Sequence, residues 1–397
     1  MAGLTDTVAV LTSPPGAAIS IQDYLAPDSA WVPLGTTPLA HVRVPRGYFR
    51  WKVQKAGVGD MVVAPMTRGT MWFPLDSMLQ APAGMVRVGA SRWANMIAFV
   101  GWVGPFDLPT FYLDRYEVTN REFQTFVDSG GYSNPSYWQA PFTRDGTQLS
   151  FDDAMALFRD GSGRPGPSTW TGGHYPDGTA NHPVSGVSWF EAMAYARFAH
   201  KSLPTFAQWF EAAPDEVAGL VVRVSNINRT AVAPVGTHQG LGPFGSFDMA
   251  GNVREWALNA LGADRRFVLG GSWRSQLYLA ADPEALSAFD RSPENGIRCV
   301  RNVSPLGDDV TRAITPLERD FGRYTPVSDG IFEAYRALYS YNKGPVNGKR
   351  DGVVEETSDW TREKVTYDAA YGDERITAYL FLPKRVRPPY QTVIFFP

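Results

Sequence analysis

Two carboxylates flank a turn-prone backbone in Gly245-Ser-Phe-Asp-Met-Ala-Gly-Asn-Val-Arg-Glu-Trp256. Asp248 and Glu255, with the carbonyls between them, are hard oxygen donors of the kind calcium takes from a turning chain. The plainer alternative has both side chains bonding loop amides, with Met249 and Trp256 in the core. Soft-metal chemistry has less to work with. The chain holds one cysteine, Cys299. That excludes an intrachain disulfide framework and any thiolate-rich metal site. A lone cysteine is ordinarily a buried, inert small hydrophobe. His41, His174, His182, His200 and His238 lack the close spacing of a non-haem iron site, so each reads as structural or surface. No serine lies in a Gly-x-Ser-x-Gly elbow. Ser188 reads as a helix cap and Ser272 as a turn residue. Gly161-Ser-Gly-Arg-Pro-Gly-Pro167 lacks the Gly-Lys-Ser ending of a phosphate cradle and is a loop. Trp138, Trp170, Tyr175 and Trp189 could line a peptide groove, but core packing is the commoner fate of tryptophan.

The elements that must position these groups fall into three stretches. At 397 residues the chain is long enough for two or three domains. The net charge of −3 and the absence of a basic stripe argue against nucleic-acid binding. The longest apolar runs, such as Val393-Ile-Phe-Phe396, are strand-sized and far below a membrane span. No charged-then-apolar leader is read at the N-terminus, so no export signal is expected there. Residues 1–66 alternate polar and apolar residues between turns, as in His41-Val-Arg-Val-Pro45 and Tyr48-Phe-Arg-Trp-Lys-Val53, which predicts short half-buried strands. Residues 67–81 read as a linker. In residues 82–304 three helix starts carry capping boxes: Thr119-Asn-Arg-Glu122, Ser188-Trp-Phe-Glu191 and Thr205-Phe-Ala-Gln208. Their apolar residues (Phe123, Phe126, Val127; Ala192, Tyr195, Ala196, Ala199; Trp209, Ala212, Ala213) share one face each. Few convincing strands are read there. In residues 305–397, Asp329 is read as the cap of a helix through Tyr341 with Ile331, Ala334, Tyr335, Leu338 and Tyr339 inward. Lys364–Tyr367 and Arg375–Pro383 read as a hairpin around Tyr371-Gly-Asp-Glu374. Gln391–Pro397 reads as a further apolar strand. Periodicity alone gives an α+β multidomain chain.

Three resemblances refine this. Phe111-Tyr-Leu-Asp-Arg-Tyr-Glu-Val-Thr-Asn120, the Gly245–Trp256 stretch, Leu269-Gly-Gly-Ser-Trp273 and Glu294-Asn-Gly-Ile-Arg-Cys299 occur in the order of the formylglycine-generating enzyme (sulfatase-modifying factor) family. The resemblance implies a C-type-lectin-like fold for residues 82–304. It implies a calcium site at Asp248, Gly251, Val253 and Glu255. A second family calcium loop begins like Asn226-Ile227, but its acidic portion is missing before Ala233-Pro-Val-Gly236. Active members oxidise a target cysteine with copper held by a Cys-x4-Cys pair. The corresponding stretch here, Arg274-Ser-Gln-Leu-Tyr-Leu-Ala-Ala-Asp-Pro283, has no cysteine, and Cys299 falls on a structural position. Copper is therefore not expected, and no catalytic or cofactor-binding residue is assigned. Ser13-Pro-Pro-Gly16, Gly35-Thr-Thr-Pro-Leu39 and Val44-Pro-Arg-Gly-Tyr48 resemble a PEGA domain, a small β-sandwich-like module. That points to an extracytoplasmic or cell-envelope setting. Residues 305–397 resemble the opening of an α/β-hydrolase, truncated before its nucleophile.

The leading functional expectation is a binding or regulatory module. It would sit within a larger bacterial polypeptide, resembling the outer part of serine/threonine kinases, and contact peptide or carbohydrate. The rival is an enzyme: an oxidoreductase of the same family with altered metal ligands, or an esterase once a complete hydrolase domain is present.

Overall fold

Alternating and capped segments of the sequence become strands and helices where a partner surface exists to receive them. The computed structural model describes residues 4–75, 81–139, 141–213, 218–262, 265–315, 320–341 and 343–394. The chain divides into two compact units, Met1–Glu318 and Arg319–Pro397, each described by itself.

The first unit opens with seven strands: β1 (Thr5–Ser13), β2 (Ala18–Asp23), β3 (Val32–Thr36), β4 (Leu39–Pro45), β5 (Phe49–Lys55), β6 (Gly59–Val63) and β7 (Thr70–Pro74). They form two sheets, β4-β1-β7 and β3-β2-β5-β6. Val8 and Val10 from one sheet meet Ile19, Ile21, Trp51 and Val53 from the other in a single core. The alternation that predicts strands is thus the alternation that fills this core. The span 67–81, expected to be a linker, carries β7, which pairs in parallel with β1 through Ala9 and Thr70. Met71 and Phe73 point inward while Trp72 is exposed; a five-residue strand with an exposed tryptophan gives too little polar alternation to read. The β-rich part is fastened to the rest of the unit. Tyr24 Oη donates to the Leu241 carbonyl at 2.9 Å, and the Ala64 amide donates to Gly242 O at 3.1 Å. Tyr24 and Tyr48 share a core with Val221, Ile227 and Leu241.

Next come β8 (Met85–Val88), β9 (Ser91–Ile97), β10 (Gly101–Leu108) and β11 (Phe111–Asp114). Helix α1 (Asn120–Asp128) comes after them, then β12 (Phe142–Arg144), β13 (Thr147–Leu149), α2 (Phe151–Leu157), α3 (Trp189–Phe198), α4 (Phe206–Ala212) and α5 (Ala218–Val221). The unit closes with β14 (Arg254–Leu261), β15 (Arg265–Leu269), β16 (Glu284–Ser287), β17 (Asn295–Gly296), β18 (Val300–Asn302) and α6 (Asp308–Thr311). More strand forms than the sequence announces, mostly as short pieces: β18-β11-β8, β16-β15-β14-β17 and two hairpins. All three capping boxes form, at Thr119, Ser188 and Thr205. Phe123 and Phe126 on α1 and Ala192, Tyr195 and Ala196 on α3 enter one core with Trp138, Trp170 and Trp189. Those tryptophans are buried, so they are core residues. Trp209 and Ala212 on α4 enter a second core with Val310. Asn259 clamps the far end: its amide donates to Val310 O and Arg312 O at 2.8 Å each. Residues 308–314 are thereby held within the first unit.

The second unit holds α7 (Asp329–Ala337) and an antiparallel sheet β19-β20-β21, from β19 (Lys349–Glu356), β20 (Trp360–Asp368) and β21 (Arg375–Pro383). The hairpin around Tyr371–Glu374 forms as expected. Ser328, not Asp329, is the N-cap, and the helix ends before Tyr341. Ile331, Ala334, Tyr335, Leu338 and Tyr339, expected inward, are all exposed. Residues 391–394 form no strand, and Phe395–Pro397 lie outside the described residues. No parallel strand pair forms among the described residues of this unit, so an α/β-hydrolase arrangement is not displayed. No helix among the described residues is long and apolar enough to cross a membrane.

Candidate functional site

The Gly245–Trp256 stretch is a tight reversal leading into β14. Asp248 and Asn252 adopt left-handed backbone (φ 59° and 58°), which short polar side chains tolerate. Gly251 is required: a Cβ there would lie 2.4 Å from Asn226 O. The reversal delivers Glu255 to the interior, where its two oxygens accept from Arg298 Nε at 2.9 and 3.0 Å and from Nη2 at 2.7 Å. Trp209 Nε1 adds a bond at 2.7 Å. Arg298 is fully buried and also donates to Asp114 O and Phe247 O. Asp248 accepts from the Gly236 amide at 2.6 Å. A third buried carboxylate, Glu117, accepts from Asn252 Nδ2 at 2.7 Å and the Val253 amide at 3.0 Å.

The electrostatics are set by burial. Burial pushes Glu117 well above the carboxylate range, and the nearby charges of Asp248 and Glu255 push the same way. Asp248 is pushed up to about 6, again chiefly by burial. Burial opposes the charge on Arg298, but Glu255, then Glu117 and Asp248, outweigh it and hold the guanidinium protonated. Desolvated carboxylates demand such a partner.

The four expected calcium ligands all lie on this turn and the start of β14. They fit calcium in type, as hard oxygens on a turning chain. In this structure Glu255 accepts from Arg298 and Trp209, and Asp248 accepts from the Gly236 amide. No cluster of three or more His, Cys, Asp or Glu side chains arranged to hold a metal is present among the described residues.

The second feature is the turn after β15. Gly270 and Gly271 adopt positive φ, and Ser272 Oγ donates to Glu294 in a short bond. The Ser275 hydroxyl receives the Ser272 amide at 2.9 Å. Trp273 N donates to Asn252 O at 2.8 Å, and Arg229 N donates to Trp273 O. The turn is thereby stitched both to the 245–256 reversal and to the 226–229 segment. Beside it opens a cleft of about 260 Å³ lined by Trp170, Thr179, His182, Thr230, Trp273 and Pro293. His182 Nδ1 is buried with no partner among the described residues, and burial lowers its pKa from the ordinary imidazole value. The next stretch, 274–283, has no sulfur and exposes Leu277 and Tyr278. Cys299 is fully buried in the first core, and burial pushes its thiol well above the usual range.

The other candidates read from the sequence have simple roles. Ser188 caps α3. The 161–167 loop wraps Asp160, whose carboxylate accepts the amides of Ser162, Arg164 and Gly173, so those amides are not free for phosphate. His174 is exposed and meets Gln124. Sequence reasoning misses Glu117, Arg298, Glu294 and the place of His182 as a set. Glu117 and Arg298 stand in the 111–120 and 294–299 motifs, but their meeting spans most of the domain and leaves no local spacing to find.

A family profile described as the sulfatase-modifying factor enzyme 1-like domain matches residues 67–303. The chain is 31% identical over 201 residues to hercynine oxygenase of Mycobacterium tuberculosis, covering 42% of this chain and 46% of the relative. It is 29% identical over 265 residues to the formylglycine-generating enzyme of Thermomonospora curvata, covering 55% of this chain and 78% of the relative. It is 28% identical over 228 residues to serine/threonine-protein kinase pkn1 of Chlamydia pneumoniae, covering 50% of this chain and 34% of the relative. The chain spans less than half the length of the hercynine oxygenases it matches. With the profile covering well over half of its residues, this chain belongs to the sulfatase-modifying factor enzyme 1-like family.

Proposed function

We propose that the family domain of this chain is a binding or regulatory module of a larger multidomain protein, and that it does not oxidise cysteine. One observation carries this reading: the stretch 274–283 supplies no thiolate, and the single cysteine is sealed in the core. Copper(I) is soft and needs paired sulfur donors. What remains is a cleft with an aromatic wall at the half-buried Trp273 and neutral polar groups at Thr179, Thr230 and His182. Such a lining suits a peptide or carbohydrate ligand, held by stacking and a few directed hydrogen bonds. The PEGA-like reading of the first seven strands and the hydrolase-like reading of the last unit belong to the same proposal, as does an extracytoplasmic setting. The kinase relative supports a multidomain context. Tryptophan fluorescence titration with panels of peptides and oligosaccharides tests it. A saturable ligand whose binding is lost in Trp273→Ala supports the module; a panel without any such ligand removes it.

Calcium at Asp248, Gly251, Val253 and Glu255 is a separate part of the proposal. It is supported by three buried carboxyl groups gathered beside one guanidinium, two of them with pKa values raised by burial that a bound cation would bring down, and opposed by the occupied oxygens of Glu255. Calorimetric titration with calcium chloride decides. Heat of binding abolished by Asp248→Asn supports the ion; no heat removes it.

A further inference from the structure

Three sheets of the first unit each end in a strand paired on one side only among the described residues: β6, β7 and β8. All three border one cleft of about 580 Å³, between the β-rich part and the family domain. Such a volume is that of a ligand site. Edge strands carry rows of unpaired N–H and C=O groups, which proteins normally cover or blunt. Here they are left beside apolar side chains that are half-buried or exposed: Met61, Met66, Trp72 and Phe244. Methionine is an adaptable wall for a variable apolar guest.

Among its described residues the cleft carries one sign of charge. The chain as a whole is net negative, yet the described lining includes Arg87 and Arg115 and no carboxylate. Arg87 and Arg115 are both half-buried. Arg87 makes one long bond to Thr110 Oγ1 at 3.4 Å, and neither arginine is in an ion pair with a carboxylate among the described residues. Half-buried guanidinium groups without anions favour an incoming carboxylate, which they bind by charge-assisted bonds.

We propose that this cleft binds an acidic peptide in extended conformation, added as a strand to an exposed edge. Open backbone edges ask for a backbone partner. The two arginines ask for its carboxylates, and the methionine and aromatic walls take its alternate apolar side chains. At the rise of a strand, about 3.3 Å per residue, β7 accommodates a partner of about five or six residues. The site is separate from the Trp273 cleft and does not depend on the function proposed there.

The test uses the full 397-residue chain and a fluorescein-labelled hexapeptide alternating Glu and Val. Its comparators are the Lys–Val counterpart, hexaglutamate and decanoate. Fluorescence anisotropy should show saturable binding of the Glu–Val peptide alone. Arg87→Gln with Arg115→Gln should weaken it at least about tenfold, as loss of charge-assisted bonds does, while the matching Lys pair retains part of the affinity. Bound peptide should slow amide hydrogen exchange at residues 70–74 or 85–88. If the Gln pair does not fold, the Lys pair and the exchange footprint on the unmodified chain decide. Equal binding of hexaglutamate would reduce the site to a cationic patch and overturn the strand-addition proposal. Competition by decanoate without edge protection would make it a pocket for small amphiphiles, with the same consequence. No binding by the Glu–Val peptide, or binding indifferent to both arginine pairs, also overturns it.

Discussion

Helix α1 and helix α7 carry the same kind of apolar stripe and meet opposite fates. On α1, Phe123 and Phe126 are fully buried against α3 and Trp170. On α7, Tyr335 and Leu338 are 63% and 77% exposed. Periodicity fixes which side chains share a face; it does not supply the surface that face meets. The family domain supplies it through loops anchored by buried polar side chains, among them Asn120, Asn259 and Arg298. The terminal unit has a sheet of long strands but few buried residues.

Removing an anchor should separate the two regions most widely. Arg298→Met leaves Glu255 buried and unpaired beside Glu117 and Asp248, which should cost about 3–5 kcal/mol. Arg336→Met removes the exposed pair with Glu333 on α7 and should leave the urea midpoint unchanged. Equal effects would mean that Arg298 is no anchor. Next comes the aromatic pair. Phe123→Ala opens a core cavity and should cost about 3–5 kcal/mol, whereas Tyr335→Ala should stay within about 0.5 kcal/mol. A large loss at Tyr335 would reveal a partner surface for α7.

Smaller effects refine the contrast. Thr205→Ala removes the cap of α4 and the bond to the Gln208 amide, with an expected loss of about 1 kcal/mol in thermal unfolding. The mildest concerns His182. Its folded pKa lies below the unfolded value because burial disfavours the charge. Its contribution is therefore present above the unfolded pKa and lost as pH falls through the folded one. Melting midpoints followed from about pH 7 down to pH 5, where histidine titrates, should fall less in His182→Gln than in the unmodified chain. An identical fall in both would place His182 outside the pH response.

Local chemistry makes much of this fold legible. The three capping boxes are readable because a hydroxyl and a carboxyl or carboxamide three residues apart act within one turn. The strands of residues 1–66 are readable because they alternate. Strand β7 is not: it is short, carries an exposed tryptophan and finds its parallel partner near the start of the chain. The short strands β11, β17 and β18 hide because they are held by long-range pairing, β11 with β18 and β17 with β14, rather than by their own pattern. At the site, the missing thiolates are plain, since absence needs no geometry. The Glu255–Arg298 pair is not, although each residue stands in a recognisable motif, because only the fold brings them together. The cleft beside Trp273 is equally hidden. Trp170 and His182 reach it from one loop, Thr230 and Trp273 from two others.

A scaffold without paired thiolates should be no copper-dependent cysteine oxidase, and everything proposed for the family domain turns on that. The decisive assay incubates the purified chain with copper, oxygen, a reductant and a cysteine-containing sulfatase peptide, then reads the peptide by mass spectrometry. The cysteine should remain unchanged, with copper and without it. Copper-dependent conversion of that cysteine to the aldehyde, retained after repurification of the chain, would refute the reading.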